Sequence, residues 1–156
     1  MKRIITIGLI LILFNQYAIA QDSNKAFSLV SQLISLRVEL DSIIKALADL
    51  NLKINSDNIN KLNNNASFYV NLCHCQANVL YLYLKFDKGK RKDISSYLYN
   101  DLFMMKPSFE QNKKIFLTNY SDLKNKSALQ LADDIKIKIN EIEILYEQVL
   151  EIYRSK

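Results

Sequence analysis

An all-α, up-and-down bundle of four to five helices, following a cleaved N-terminal signal peptide, is the fold class this sequence predicts. Three observations lead there. The 156-residue chain contains only two glycines and one proline, too few turn residues for an all-β protein of this length. Long stretches repeat apolar residues at helical spacing. The first twenty residues have the layout of an export signal, which leaves roughly 136 residues for one domain with a core of its own.

The signal reads from its three parts. Lys2 and Arg3 supply the positive start, and Ile4–Phe14 is an apolar run relieved only by Thr6 and Gly8. Ala18-Ile19-Ala20 then places small residues before a cleavage between Ala20 and Gln21. The run is about 11 residues long, against the ~20 that a membrane-spanning helix needs. The mature protein is therefore expected to begin at Gln21, to reside in a periplasm or outside the cell, and to meet a membrane only transiently, through its signal. Residues 21–156 are expected to form a single helical-bundle domain.

Element by element, the first helix is the clearest. Leu29, Leu36, Ile43 and Leu50 recur every seven residues, and so do Leu33, Leu40, Leu47 and Ile54. Val30, Ile34 and Ile44 widen the stripe beyond a two-position seam, as suits a helix covered by several others. Self-association through this Leu29–Ile54 helix, as a coiled coil, is the competing use of the same pattern. An Asn-rich stretch follows, with a loop expected at 55–58 and Ser56 or Asp57 as caps. A second helix is expected to about Phe86, burying Ile59, Ala66, Cys73 and Leu80 with Leu62, Tyr69, Ala77 and Leu84.

Asp87–Lys92 reads as a charged loop around Gly89, with Asp93 capping a third helix that reaches Met105. Pro107 is expected to end that helix, and Ser108-Phe-Glu-Gln111 has capping-box form for a fourth. A further cap is expected between Asn119 and Asp122. The last helix then runs to about Tyr153 with Ile135, Ile139, Ile142, Tyr146, Val149 and Tyr153 on one face. Within it, Ile135-Lys-Ile-Lys-Ile139 alternates with the period of a strand, but the longer window keeps helical spacing.

Chemistry-bearing patterns are sparse. Cys73-His74-Cys75 holds both cysteines and the single histidine. Two residues apart on a helix, the cysteines point about 200° from each other and cannot pair with one another. Cys73 as a small core residue and Cys75 as a second packed or partly exposed thiol is the simplest reading; a structural or intermolecular disulfide, or a thiol-based metal or redox site, are the alternatives. A zinc site wants four ligands, and no further Cys or His exists. No catalytic residues, cofactor or metal are therefore assigned. The late carboxylates Asp133, Asp134, Glu141, Glu143, Glu147 and Glu151 read as a solvated helix face rather than an acid–base pair. Asn65, Asn119 and Asn125 head Asn-x-Ser triplets, which matter only in a glycosylating host.

The surface pattern left over is the basic run Lys88, Lys90, Arg91 and Lys92, with Tyr81, Tyr83, Tyr97 and Tyr99 on either side. Cations beside aromatics suit a recognition surface for anionic lipid, glycan or an acidic partner. Nucleic acid is not expected, because the mature chain is only mildly basic. The sequence thus points to an exported, non-enzymatic binding or interaction protein: an adaptor, inhibitor or immunity-type partner, most simply of another protein. The thiol-based reading is the alternative.

Overall fold

The computed structural model describes residues 2–154, with side chains from residue 24 onward. It is a bundle of five helices: α1 (Lys2–Ile54), α2 (Asp57–Lys85), α3 (Lys88–Met104), α4 (Lys106–Ser121) and α5 (Lys126–Arg154). No strand occurs among the described residues. Among them, too, no helix is long and apolar enough to cross a membrane. The expected signal peptide and its Ala20–Gln21 cleavage site lie outside the residues whose side chains are described.

From Ala26 on, α1 buries the face its heptads mark. Leu29, Leu33, Leu36, Leu40 and Leu47 are inside, while Ile43 and Leu50 are partly covered. The widened stripe is narrower than expected: Val30 is buried, but Ile34 is exposed. Within the chain, α2 and α5 already cover this stripe. Phe27, Ile34, Val38 and Leu52 remain on the exposed surface of the same helix.

The turn from α1 to α2 takes two residues, shorter than expected, and Asn51 closes it. Asn55 adopts a φ of 54°, the left-handed conformation that Asn tolerates best after Gly, and its N–H bonds the Asn51 carbonyl at 2.7 Å. The Asn51 side chain accepts from the Ser56 N–H at 2.8 Å and donates to Asn60 at 2.7 Å. Ser56 occupies the cap position without a side-chain capping bond. Asp57 sits in the first turn, where a carboxylate suits the helix dipole, and pairs with Lys61 at 2.6 Å. Arg37–His74 and Asn51–Asn60 contacts show α2 running back along α1.

Two expectations for the middle of the chain need correction. Helix α3 starts at Lys88, not after Asp93, because Asp87 is the cap: its carboxylate accepts from the Lys90 N–H at 2.9 Å. Lys88–Lys92 is therefore helix rather than loop, and Gly89 is a helical residue without positive φ. The second correction concerns Pro107 and Ser108. Pro107 falls in the first turn of α4, where its missing N–H has no helical partner to lose. Ser108 is already inside that helix, so the capping box does not form. Between α3 and α4 only Met105 departs from helix.

Both short helices run against α5. Lys106 meets Glu147, Lys113 meets Glu143, and Tyr120 meets Asp133; the Tyr146 hydroxyl donates to the Leu102 carbonyl. They act as one bent rod packed opposite α5. The start of α5 is capped by Asn125, whose side chain accepts from the Ala128 N–H at 3.0 Å, three residues beyond the expected region. Lys25–Glu151 and Lys138–Glu39 contacts set α1 antiparallel to α5.

Along α5, Ile135 and Ile139 are buried while Ile137 is 53% exposed, so the alternating stretch is helical. Ile142, Tyr146, Val149 and Tyr153 complete the buried face. Aromatic rings stitch the rods together: Tyr69 packs edge-on to Phe109 at 5.1 Å, Phe109 tilts against Tyr146 at 5.5 Å, and Tyr83 meets Tyr153 at 5.2 Å.

Candidate functional site: a basic pole

The antiparallel arrangement gathers residues that lie far apart in the chain. The C-terminal ends of α2 and α5, the N-terminal end of α3 and the Lys25 end of α1 share one end of the bundle. Lys85 closes α2 and Arg154 closes α5, in last turns where cations suit the helix dipole. Lys88, Lys90, Arg91 and Lys92 open α3, and Lys25 leads into the same end from α1. Among the described residues this pole holds these seven cations against three carboxylates, Asp87, Asp93 and Glu151. The whole chain carries a net charge of +5, so the pole holds most of its surplus. The other end mixes Lys53, Lys61, Lys124 and Lys126 with Asp49, Asp57 and Asp122.

Three of the four α3 cations, Lys88, Lys90 and Arg91, stand in the first turn, where local helix energetics oppose them. Each positive side chain in a first turn costs a few tenths of a kcal/mol against the dipole. Asp87 offsets part of this by capping and by approaching the Lys90 ammonium at 3.8 Å. Arg91 Nε donates to the Phe86 carbonyl at 2.9 Å, which ties the turn between α2 and α3.

Large apolar side chains surround the cations. Phe86, Leu82, Tyr81 and Phe27 are all exposed by about two fifths or more, and Tyr97 is 71% exposed. The Lys85 ammonium lies 4.8 Å above the Tyr81 ring. Of the four tyrosines marked in the sequence, Tyr81 and Tyr97 face outward, Tyr99 is half-buried, and Tyr83 is a core residue bonded to Ser95. A cleft of about 340 Å³ opens between α3 and α5, lined by Lys92, Ser95, Ser96, Tyr99, Asn100, Tyr153 and Arg154. The Tyr153 hydroxyl is buried and has no hydrogen-bond partner among the described residues.

The remaining sequence-marked groups do not converge on this pole. Cys73 is fully buried on the core face, and Cys75 is exposed; both thiols are free. Burial pushes the Cys73 thiol up to about 12, which removes its nucleophilic form. His74 lies between them on the surface, with Nδ1 3.1 Å from Arg37 and Nε2 3.2 Å from Asn78. Arg37 can only donate, so Nδ1 is the acceptor in that contact. Among the described residues no three His, Cys, Asp or Glu side chains gather as metal ligands. A thiol reagent is expected to modify one cysteine, Cys75, in the folded protein and Cys73 only after denaturation. Native protection of both, or reaction of both, would contradict this placement.

Most of the late carboxylates are engaged. Glu143 pairs with Lys113 at 2.6 Å, Glu147 with Lys106 at 2.7 Å, and Glu151 with Lys25 at 3.8 Å. Glu39 and Glu141 share Lys138 across a cleft of about 350 Å³ between α1 and α5. Hydrogen bonds from Lys138, then Ser35, hold the Glu39 carboxyl below its ordinary value. These pairs fasten helices to one another on an exposed face. Of the Asn-x-Ser positions, Asn119 is buried and donates to Asn65 at 3.2 Å, and Asn125 is the α5 cap.

Sequence reading identified the α3 cations and their tyrosines but missed Lys25, Lys85, Phe86 and Arg154 as part of the same surface. The only signal was their position at helix ends, and which ends coincide is a tertiary matter. No protein-family model matches the chain, and neither a curated protein nor a solved structure does.

Proposed function

We propose that the first twenty residues export this chain and that residues 21–156 act outside the cytoplasm as a non-enzymatic, up-and-down helical bundle that binds another macromolecule. The basic pole is the binding surface. The observation that carries this reading is the concentration of cations and exposed aromatic rings at one end, including α3 cations that weaken the helix they begin. Residues kept against local stability are commonly kept for contact with something else. An anionic partner fits, because exposed lysines steer association through their field, and the rings supply contact area at little entropic cost. Self-association through α1 would use its outer residues Phe27, Ile34 and Val38, since its leucine face is covered within the chain.

The test compares two charge reversals of equal size. Lys88, Lys90 and Lys92 are changed to Glu together in one variant, and Lys53, Lys124 and Lys126 in the other. Both are used as bait on envelope and secreted fractions from the host. Capture should fall at least tenfold in the first variant and persist in the second. Equal capture by the two variants would remove the pole from the function.

A further inference from the structure

We propose that the occupant of the basic pole is the surface of an anionic phospholipid bilayer. This rests on reading the pole as a docking surface and adds what docks there. A protein partner favours a desolvated pocket with anchors at its centre and charge at its rim. This end has a different layout. Its cations come from the ends of α2, α3 and α5 and from Lys25 of α1, and Phe86, Leu82 and Tyr81 stand exposed where α2 ends. Side chains with an apolar body and a charged or hydroxyl tip, set on the end of a rod, match a bilayer interface. There the rings enter the headgroup layer and the ammonium groups stay with the phosphates.

Chain direction supports the same occupant. The sequence before the described side chains carries the apolar run Ile4–Phe14 and joins the bundle through Lys25, at this pole rather than the opposite one. The end that trails the export segment is therefore the end built for an anionic interface. The cleft between Lys92 and Arg154, with Ser96 and Asn100 on its wall, offers donors to one headgroup phosphate.

The experiment is vesicle co-sedimentation of the full chain at low salt. One set of vesicles is phosphatidylcholine alone; the other is phosphatidylcholine mixed equally with phosphatidylglycerol. Each basic residue at such a surface strengthens partitioning about fivefold. Changing Lys88, Lys90 and Lys92 to Glu should therefore weaken binding to the mixed vesicles on the order of a hundredfold. The Lys53/Lys124/Lys126→Glu variant should keep most of it. Residues 1–20 are present in every protein compared, so the difference reads the pole. Binding should also fall as salt rises. Helical circular dichroism of each variant confirms that it is folded before it is compared. Unchanged binding to the mixed vesicles in the Lys88/Lys90/Lys92 variant, or equal loss in both variants, overturns the lipid proposal. If the α3 lysines are then still required to capture an acidic protein, the docking surface stands and only its occupant changes; if no capture depends on them, both readings fall.

Discussion

Replacing Tyr69 with alanine should destabilise the bundle by about 3–5 kcal/mol, the range for removing a large buried aromatic side chain. Tyr69 is fully buried in α2. Its ring packs edge-on to Phe68 at 5.3 Å and to Phe109 at 5.1 Å, and Phe109 in turn meets Tyr146 of α5. The Tyr69 ring thus ties α2 to α4, and Phe109 carries the seam on to α5. The other polar ties between α2 and α4 are side-chain amide contacts, Asn65–Asn112 at 3.5 Å and Asn119–Asn65 at 3.2 Å, too weak to replace the packing lost with the ring. Domains of this kind are stable by about 5–15 kcal/mol in all, so the variant should lose a large share of its stability. Tyr69→Phe should cost no more than about 1 kcal/mol, because the hydroxyl reaches the Phe109 carbonyl only at 3.4 Å. Urea unfolding followed by circular dichroism measures both. A Tyr69→Ala protein with an unchanged midpoint would mean that the aromatic seam does not bind α4 to α2.

The second large effect is alkaline unfolding. Burial raises Tyr146 and Cys73 to about 12, from ordinary values of 10.0 and 9.0. Burial likewise raises Tyr69 and Tyr153, with Glu143 and Glu110 adding to the first and Tyr83 to the second. These groups remain protonated in the folded chain while their counterparts in the unfolded chain ionise. Stability is therefore complete below the unfolded values and falls as pH rises toward the folded ones. Each group inside that window removes about 1.4 kcal/mol per pH unit. With several titrating together, helix content should collapse in one step above about pH 11, and tyrosinate absorbance should rise in the same step. Tyr153→Phe should move the step to higher pH, since the Tyr153 hydroxyl is buried without a partner among the described residues. A smooth tyrosinate titration near the ordinary value, with helicity intact, would show that these hydroxyls reach water in the folded state.

What the chain's own pattern determined is the helices and most of their inward faces. Leu29, Leu33, Leu36, Leu40 and Leu47, and Ile135, Ile139, Ile142, Tyr146, Val149 and Tyr153, were legible because a helix brings residues three and four apart together whatever else surrounds it. The same rule placed Cys73 inside, while the exposure of Cys75 came from the structure. Caps were less legible, since several polar residues compete at each boundary and neighbouring geometry selects among them: Asp87 over Asp93, Asn125 over Asn119 to Asp122. Ile34 and Val38 could not be told from core residues, because an apolar stripe does not say how wide its neighbours' cover is.

Only the tertiary structure decided that Lys25, Lys85, Lys88 to Lys92 and Arg154 form one surface. They are separated by up to 129 positions in the chain. They meet because α1 and α2, and the bent α3–α4 rod and α5, pack antiparallel, so that helix ends distant in sequence become neighbours in space. Periodicity reports what one helix wants to bury; charge accumulated at a pole depends on which ends the packing brings together.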